Sequence, residues 1–269
     1  KKIITMNLKL KEKTALVTGS TAGIGYAIAK RLAKEGAHVI INGRKASDIA
    51  DKIKTLKEKT GNDNITGIVA DFSKKEDIDN LLKEIPEVDI LVNNVGIFNQ
   101  VDFEKITDEE WFEMFEVNVM SGVRLSRQYF PKMIKNNEGR IIFISSESAL
   151  NIPTEMVHYG FSKTAQLAVS RGLARLSKGT NVTVNSVLPG PTMSRANKND
   201  LEETAKDNNK KVEDVIDDFF NERRPTSLIQ RFAKTEEVAN MVAYIASPLS
   251  SATNGAALRV DGGVANYII

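Results

Sequence analysis

The sequence predicts an α/β fold in three layers: a doubly wound, seven-stranded parallel sheet with helices on both faces. Seven short runs rich in β-branched residues alternate with longer segments of helical periodicity, and this alternation is typical of repeated strand–helix–strand units. The runs are apolar almost throughout, as expected for parallel strands that are buried on both sides. No repeat, low-complexity tract or linker interrupts the pattern, so residues 1–269 are predicted to form a single domain.

The seven runs give the predicted strands in order. The first, TALVT, leads into a glycine-rich turn, and the second begins at His38, for which no other role is predicted. The third and fourth runs are followed by polar residues, and so is the fifth, RIIFISS. The predicted strands span 14–18, 38–42, 65–70, 88–94, 140–146, 181–188 and 256–262.

Helices are predicted between the strands, and several of their ends carry recognisable signals. Glycine follows each of the first two helices, as is common at helix C-termini. Ser73 with Glu76, and Thr107 with Glu110, have the spacing of a capping box at the start of a helix. The predicted helices span 24–35, 46–60, 73–84, 107–135, 154–177 and 235–246.

Composition and charge narrow the range of functions. The net charge is +2 and no apolar run reaches the length of a membrane span, so neither nucleic acid nor a membrane is expected as a partner. The chain has no cysteine and two histidines, so no metal site is expected, and the absence of thiols is compatible with a reducing cytoplasm. The first residues are too few and too polar for a signal peptide, and Met6 is a candidate initiator. A cytoplasmic location is predicted.

Residues 195–231 break the alternation of strands and helices. The segment is highly charged, which is compatible with a solvated helical insertion or with a lid over a binding site. Insertions beside the carboxyl edge of a sheet often cover ligands. We therefore predict that 195–231 is a helical substrate lid, and that it determines specificity together with residues 150–157.

A glycine-rich loop, TGSTAGIG, joins the first strand to the first helix. At such a turn, glycines let backbone N–H groups approach a pyrophosphate without Cβ atoms in the way. The helix that begins near Ile24 would direct the positive end of its dipole at the phosphates. The position of the loop in the first strand–helix unit predicts a dinucleotide site, with a plain tight turn as the alternative.

Tyr159 and Lys163 are four residues apart on a predicted helix, so they share one face of it. A nearby ammonium group stabilises phenolate and would lower the pKa of the tyrosine, which suits proton exchange near neutral pH. Ser146 ends the strand that leads into this helix, and its hydroxyl can polarise a carbonyl oxygen. His158 points about 100° away from Tyr159, so a structural or substrate-rim role is expected for it.

Taken in order, these motifs resemble those of the short-chain dehydrogenase/reductase family, which has a Rossmann fold. The likeness runs from about Leu10 to the end of the chain and includes the glycine loop, NNVG at 93–96, YGFSK at 159–163, PGPT at 189–192 and VDGG at 260–263. Val95 departs from the family's usual alanine. The resemblance implies an NAD(P)-dependent oxidoreductase that acts on CH–OH groups.

The resemblance also implies roles for individual residues. The catalytic tetrad would be Asn118, Ser146, Tyr159 and Lys163, with Lys163 also holding ribose hydroxyls and Asn118 anchoring a water that passes protons to Lys163. Ser145 is an alternative to Ser146, although the thirteen-residue gap to Tyr159 favours Ser146. Asn118 could instead cap or kink its helix. The residues expected to bind the cofactor are Gly19, Thr21, Gly23, Ile24, Gly25, Arg44, Asp71, Phe72, Asn94, Gly96, Tyr159, Lys163, Pro189, Gly190, Thr192 and Ser194.

The end of the second strand favours NADP(H) over NAD(H). Gly43 stands where NAD-preferring relatives carry an acid for the ribose hydroxyl, and the guanidinium of Arg44 suits a 2′-phosphate. A solvated basic loop is the alternative. Ala22 stands where many NADP-preferring relatives have a basic residue, so NAD(H) is kept as a second candidate. Either Thr192 or Ser194 is expected to meet the nicotinamide carboxamide.

The predicted reaction is hydride transfer between the nicotinamide cofactor and a small carbonyl or secondary alcohol substrate. A narrower version is a 3-oxoacyl-carrier-protein reductase, but residues 135–139 carry little positive charge for docking an acidic carrier. A cofactor-binding protein without catalysis, and a non-redox lyase or epimerase, are the alternatives. The presence of all four tetrad residues favours the enzyme.

The resemblance further implies a homotetramer, assembled through the long helices after strands four and five and through the last strand. The chain ends in an apolar segment, 264–269. We predict that this segment is buried at a subunit interface or against the lid.

Overall fold

The computed structural model describes residues 6–268, and its centre is a seven-stranded parallel sheet. The strand order β3-β2-β1-β4-β5-β6-β9 reverses direction between β1 and β4. In sheets of this kind, ligands bind beyond the carboxyl ends of the strands at the point of reversal. The strands are β1 (Thr14–Val17), β2 (His38–Gly43), β3 (Ile65–Val69), β4 (Ile90–Asn93), β5 (Gly139–Ile144), β6 (Val182–Pro189), β7 (Thr192–Met193), β8 (Ala233–Lys234) and β9 (Ala257–Val260).

Helices cover both faces of this sheet, which confirms the predicted three-layer, doubly wound α/β architecture. On one face, α1, α2 and α9 pack on the strands, and on the other α3, α5 and α6 do so. Strands β1, β4, β5 and β6 contribute to both core clusters because successive side chains point to opposite faces. The helices are α1 (Gly23–Lys34), α2 (Ala46–Thr60), α3 (Lys75–Glu84), α4 (Asp108–Phe115), α5 (Ser121–Asn136), α6 (Val157–Leu176), α7 (Arg195–Asp207), α8 (Val212–Asp218) and α9 (Thr235–Ala246).

One of the two predicted capping boxes is present in the structure and the other is not. Thr107 accepts a hydrogen bond from the N–H of Glu110, whose carboxylate accepts one from the N–H of Thr107, so this capping box is confirmed. The capping box at Ser73 is wrong, because the Ser73 hydroxyl donates to Asp71 instead (2.8 Å). Helix α3 therefore begins two residues later, at Lys75.

The single helix predicted over 107–135 is interrupted in its first half. A π-helical segment, Glu116–Met120, separates α4 from α5. The segment contains Asn118, whose carbonyl oxygen accepts a hydrogen bond from the Gln166 side chain of α6 (2.6 Å). Single π turns are frequent at functional sites because they change the direction of a few side chains without ending the helix.

The charged insertion forms two helices, as its composition indicated, and has a small apolar cluster of its own. Helices α7 and α8 enclose Leu201, Ala205 and Val215, and a second π-helical segment, Phe219–Arg223, follows α8. The short strands β7 and β8 pair in parallel and join the two ends of the insertion. The insertion is thus anchored at both ends beside the carboxyl edge of the main sheet.

The C-terminal segment is buried only in its first part. Val264 and Ala265 are buried, and the Val264 carbonyl accepts a hydrogen bond from Thr226 at the end of the insertion. Tyr267 is half exposed and Ile268 fully exposed in the single chain, and Ile269 lies outside the described residues. Contact with the insertion is therefore present, and burial at a subunit interface stays a prediction for the last residues.

Candidate active site

A cavity of about 920 Å³ runs along the carboxyl edge of the sheet, from the glycine loop to the start of α6. Its walls come from the ends of β1, β4, β5 and β6 and from the insertion. Six predicted residues lie outside its lining: Gly19, Thr21, Arg44, Asp71, Phe72 and Asn118. The predicted residues that line it are Gly23, Ile24, Gly25, Asn94, Gly96, Ser146, Tyr159, Lys163, Pro189, Gly190, Thr192 and Ser194.

The glycine loop is held tightly against the end of β4. The side-chain amide of Asn94 donates to the carbonyl oxygens of Thr18 (2.9 Å) and Gly19 (3.1 Å). A Cβ atom on Gly25 would lie 2.4 Å from the Gly19 oxygen and 2.5 Å from the Asn94 amide nitrogen. Since α1 begins at Gly23 and its first residues line the cavity, the loop fits the pyrophosphate of a dinucleotide.

The adenine end of the predicted cofactor site lies past β2 and β3. Arg44 is exposed and forms no ion pair with the described residues. The pKa of Asp71 is lowered mainly by the hydrogen bonds of its carboxylate with Ser73 and, to a smaller extent, by the charge of Arg44. A side chain at Gly43 would meet the Thr21 methyl group at 2.6 Å. The Phe72 side chain is buried in the core, so its backbone is the part available to a cofactor.

The other end of the cavity is bordered by the residues after β6. The Thr192 hydroxyl donates to the Gly190 carbonyl (2.8 Å). The Ser194 hydroxyl oxygen accepts from the Asn197 N–H as the N-cap of α7 (3.2 Å), which leaves its proton available. Both side chains line the cavity, and only Ser194 has a hydroxyl proton that is not already donated within the chain.

Ser145 and Ser146 end β5 but serve different contacts. The buried Ser145 hydroxyl donates to the Lys163 carbonyl (2.9 Å) and so ties the strand to α6. The Ser146 oxygen accepts from the Ser148 N–H (3.1 Å), and the hydroxyl lies beside that of Tyr159. Only Ser146 interacts with the Tyr159 hydroxyl, which favours it over Ser145 as the candidate catalytic serine.

Tyr159 and Lys163 lie on the same face of α6, as their spacing predicted. The Lys163 ammonium is 5.6 Å from the centre of the Tyr159 ring and donates to the Ile144 carbonyl (3.0 Å). Gly96 leaves room beside it, because a Cβ there would be 3.3 Å from the Lys163 nitrogen. The ring of Phe98 meets the edge of the Tyr159 ring at a centroid distance of 6.0 Å.

The expected effect of Lys163 on the pKa of Tyr159 is absent from the protein alone. Burial raises the pKa of Tyr159 to about 12, and the hydrogen bond with Ser146 opposes this rise. Burial also lowers the pKa of Lys163 to about 8. The expectation was wrong because the ammonium lies over the Tyr159 ring and donates to the Ile144 carbonyl. The protein surroundings of both side chains also favour their neutral forms.

Asn118 lies behind Lys163, and its side chain is fully engaged. Its oxygen accepts from the Ile97 N–H (2.7 Å), and its amide donates to the Ile97 carbonyl (2.9 Å) and the Ser162 hydroxyl (2.9 Å). The residue therefore holds the loop after β4 against α6. Its place in the π-helical segment agrees with the alternative reading of Asn118 as a residue that kinks its helix.

His158 is buried beside Tyr159 but points away from the cavity. Its ring nitrogen Nε2 is 2.7 Å from the Asn99 side-chain oxygen, and its ring meets the edge of Trp111 at a centroid distance of 5.9 Å. These contacts fix the loop that carries Phe98. Of the two roles expected for His158, the structure supports the structural one.

Several cavity residues were not predicted from the sequence, above all Glu147 and Arg224. Glu147 follows Ser146 directly and is only 3% exposed, and one of its carboxylate oxygens accepts from Nε of Arg224 (2.9 Å). An acidic residue directly after a buried strand was an available signal for Glu147. Arg224 had none, since it lies among many charged residues of the insertion and meets Glu147 from 77 positions away.

With this geometry established, comparison with known proteins identifies the family. A family model for short chain dehydrogenases matches residues 13–205. The chain belongs to the short-chain dehydrogenase/reductase family. It is 49% identical to an uncharacterized oxidoreductase, YvaG, of Bacillus subtilis over 263 residues, which cover 98% of this chain and 100% of the relative.

Members of the short-chain dehydrogenase/reductase family with described activities are also similar to this chain. A 3-oxoacyl-acyl-carrier-protein reductase of Rickettsia felis is 32% identical over 262 residues, covering 96% of this chain and 98% of the relative. The solved structure of L-sorbose reductase from Gluconobacter frateurii with NADPH and L-sorbose matches with a TM-score of 0.91 and 31% identity, covering 98% of this chain and 100% of that one. The protein is accordingly an NAD(P)-dependent oxidoreductase of this family that acts on small molecules. No helix within residues 6–268 is long and apolar enough to cross a membrane.

Proposed function

We propose that this protein is a carbonyl reductase, reversible as a secondary alcohol dehydrogenase, that uses NADP(H) in preference to NAD(H). The observation that carries the proposal is the convergence of Ser146, Tyr159 and Lys163 on the wall of a cavity that begins at a dinucleotide-binding loop. A bound nicotinamide cofactor would supply the hydride for the carbonyl carbon. The protein's own residues would bind the substrate oxygen and supply the proton.

Ser146 would polarise the substrate oxygen and Tyr159 would protonate it. The Ser146 hydroxyl, whose oxygen already accepts from the Ser148 N–H, would donate to the carbonyl oxygen and polarise it. Tyr159 keeps its proton at neutral pH because burial raises its pKa to about 12. It would release that proton to the oxygen as hydride arrives, because an alkoxide is a stronger base than a phenolate.

Lys163 and Asn118 would support this proton transfer from behind. The pKa of Lys163, which burial lowers to about 8, would let its ammonium pass a proton towards Tyr159 near neutral pH once Tyr159 has given up its own. Asn118 would hold the loop at Ile97 so that the cavity keeps its shape. In this proposal Asn118 acts as a positioning residue, because its side-chain groups are bonded within the chain.

The preference for NADP(H) rests on the end of β2. Arg44 is exposed and has no ion pair among residues 6–268, so its guanidinium is available for a 2′-phosphate. Gly43 offers no carboxylate for a ribose hydroxyl, and Thr21 packs where a longer side chain would lie. The L-sorbose reductase structure, which carries NADPH, supports the same preference.

Two narrower functions remain candidates within this class. Reduction of 3-oxoacyl groups on a carrier protein is supported by the Rickettsia relative and weakened by the small positive charge of residues 135–139. Reduction of a sugar-like ketone is supported by the L-sorbose reductase match and by the charged walls of the cavity. We further propose that residues 195–231 act as a lid and that the protein is a cytoplasmic homotetramer without a metal cofactor.

The test is the initial rate of NADPH and NADH oxidation with simple ketones, β-ketoacyl esters and ketoses, for the wild type, Tyr159→Phe and Arg44→Gln. We expect turnover that falls at least a hundredfold in Tyr159→Phe, and a preference for NADPH that Arg44→Gln reduces at least tenfold. Tight cofactor binding without turnover of any carbonyl would contradict the reductase and favour a binding protein. Equal use of both cofactors by the wild type would contradict the role of Arg44.

A further inference from the structure

A buried ion pair connects the insertion to the turn that carries the candidate catalytic serine. Nε of Arg224 donates to one carboxylate oxygen of Glu147 at 2.9 Å. The two side chains are 11% and 4% exposed, and both line the cavity together with Ser146 and Tyr159. Burying two charges is expensive unless their remaining hydrogen-bonding groups are also satisfied.

Both members of this pair keep unused hydrogen-bonding capacity. The second carboxylate oxygen of Glu147, Oε2, is buried and has no hydrogen-bond partner among the described residues. Arg224 uses Nε for Glu147 and Nη1 for the Arg223 carbonyl (2.8 Å), and no acceptor for its Nη2 is found within residues 6–268. One buried carboxylate oxygen of Glu147 and one amino group of Arg224 thus form no hydrogen bond within residues 6–268, and the Ser148 hydroxyl is the nearby group that also acts on the carboxylate.

The charge of the pair limits what this partner can be. Glu147 neutralises the guanidinium of Arg224, and the carboxylate of Glu155 lies 3.9 Å from Nη1. An anionic ligand group would therefore meet more negative than positive charge here. A neutral hydroxyl group fits better, because it can donate to the carboxylate and accept from the guanidinium at once.

The position of the pair relates this hydroxyl to the reacting carbonyl. Glu147 is the residue after Ser146, and consecutive Cα atoms are about 3.8 Å apart. The charges of Glu147 and Arg224 both influence the Tyr159 hydroxyl. All four residues line one cavity, so a ligand whose carbonyl oxygen lies at Ser146 and Tyr159 can place a neighbouring group against the pair.

We propose that Glu147 and Arg224 form the substrate-specificity element of this enzyme and that they recognise a hydroxyl group on the carbon next to the reacting carbonyl. The substrates would be α-hydroxy ketones, and the products vicinal diols. This inference rests on the proposed reductase function. A bound NADPH would supply the hydride for the carbonyl carbon and become NADP⁺, Tyr159 would give its proton to the carbonyl oxygen and regain one by way of Lys163, and the neighbouring hydroxyl would remain unchanged.

Three small ketones that differ only in the group next to the carbonyl test whether a hydroxyl there is recognised. Hydroxyacetone carries it, butanone replaces it by a methyl group of similar size, and methoxyacetone keeps an electron-withdrawing oxygen that cannot donate to Glu147. For the wild type with NADPH, we expect kcat/KM for hydroxyacetone to exceed that for each of the other two at least tenfold. Comparison with methoxyacetone removes the effect of the oxygen on the intrinsic reactivity of the carbonyl.

Two isosteric variants test whether the preference comes from this pair. Glu147→Gln removes the charge and makes one side-chain position a donor, and it should lower the ratio of kcat/KM for hydroxyacetone over butanone at least fivefold. Glu104→Gln removes the charge of an exposed carboxylate outside the cavity lining, and it should keep the ratio. NADPH binding, measured by its fluorescence, reports whether each variant is folded.

The outcomes separate this inference from the function on which it rests. Reduction of all three ketones at similar kcat/KM by the wild type would overturn the hydroxyl recognition and leave the reductase intact, whatever the variants do. A preference that survives in Glu147→Gln would overturn the assignment to the pair. Absence of Tyr159-dependent reduction of every ketone, in the presence of NADPH binding, would overturn both.

Discussion

The contact between the glycine loop and the end of β4 gives the sharpest test of the cofactor site. In Gly25→Ala, the new methyl group would lie 2.4 Å from the Gly19 carbonyl oxygen and 2.5 Å from the Asn94 amide nitrogen. Carbon and oxygen atoms approach to about 3.3 Å without strain. The loop must therefore move by about 0.9 Å, and it carries the backbone groups that would bind the pyrophosphate.

The cost of this movement follows from the contacts that it disturbs. The Asn94 amide donates to Thr18 and Gly19 at 2.9 and 3.1 Å, and two neutral hydrogen bonds are worth about 1 kcal/mol each. Overpacking of a tight site adds about 1–3 kcal/mol. We expect Gly25→Ala to lower the free energy of unfolding by about 2–4 kcal/mol and to weaken NADPH binding at least tenfold, which is about 1.4 kcal/mol.

Gly172 provides a matched control on α6. A Cβ atom there meets no heavy atom within 4 Å, and alanine is favoured over glycine inside a helix by about 0.5–1 kcal/mol. Gly172→Ala should therefore raise the urea midpoint and leave the Kd for NADPH within twofold of wild type. A Gly25→Ala protein that binds NADPH with the wild-type Kd would refute the reasoning about the loop.

Three further predictions concern buried and capping side chains. Lys163 has a folded-state pKa of about 8, below its unfolded value. The stability of the wild type relative to Lys163→Met should therefore rise with pH, by about 2 kcal/mol between about pH 7.5 and 9.5, as measured by urea unfolding. A pH-independent difference would contradict the burial of an ammonium. Asn118→Ala removes the hydrogen bonds to Ile97. It should lower the free energy of unfolding by about 2 kcal/mol and reduce kcat/KM at least tenfold. Unchanged steady-state kinetics would argue against a positioning role. Glu237 caps α9 and bonds Arg231, which lowers its pKa to about 2. Glu237→Gln should therefore cost about 1 kcal/mol at neutral pH, a deficit that should disappear in thermal unfolding as the pH falls from about 4.5 to 2.

The fold could be predicted because its determinants are local. Each strand of the sheet is a short apolar run in the sequence, and each helix between strands has an amphipathic pattern, so order and layers followed from the alternation. The errors occurred where one contact decided between close alternatives. Ser73 could cap a helix or bond Asp71, and it does the latter, which no periodicity reveals. The π-helical segment around Asn118 depends on contacts with α6 that are 44 and 48 positions away.

In the candidate site, too, the positions of residues could be predicted from local sequence patterns, whereas properties that depend on the whole fold could not. The glycine loop and Ser146 could be placed at one edge of the sheet because each follows a parallel strand, and Tyr159 and Lys163 could be placed beside them because they lie early in α6. The electrostatics of Tyr159 could not be predicted, because the spacing to Lys163 says nothing about how deeply both side chains are buried. The pKa of Tyr159 depends first on that burial, which is a property of the whole fold.

The half of the cavity at the glycine loop and the half beside the insertion are formed by different kinds of residue. This difference decides which substitutions can change specificity. The cofactor half consists largely of backbone and small residues held by short contacts such as those of Asn94, so a substitution there disturbs the loop itself. The substrate half is walled by the insertion, which joins the sheet at its two ends and through the pair of Arg224 and Glu147. Because no hydrogen bond or ion pair within residues 6–268 joins Arg224 to the glycine loop, we expect its exchange to alter the choice of substrate without loss of cofactor affinity. Under the proposed reductase function, a separation of this kind would let one scaffold accept different carbonyl compounds through changes confined to one charged segment.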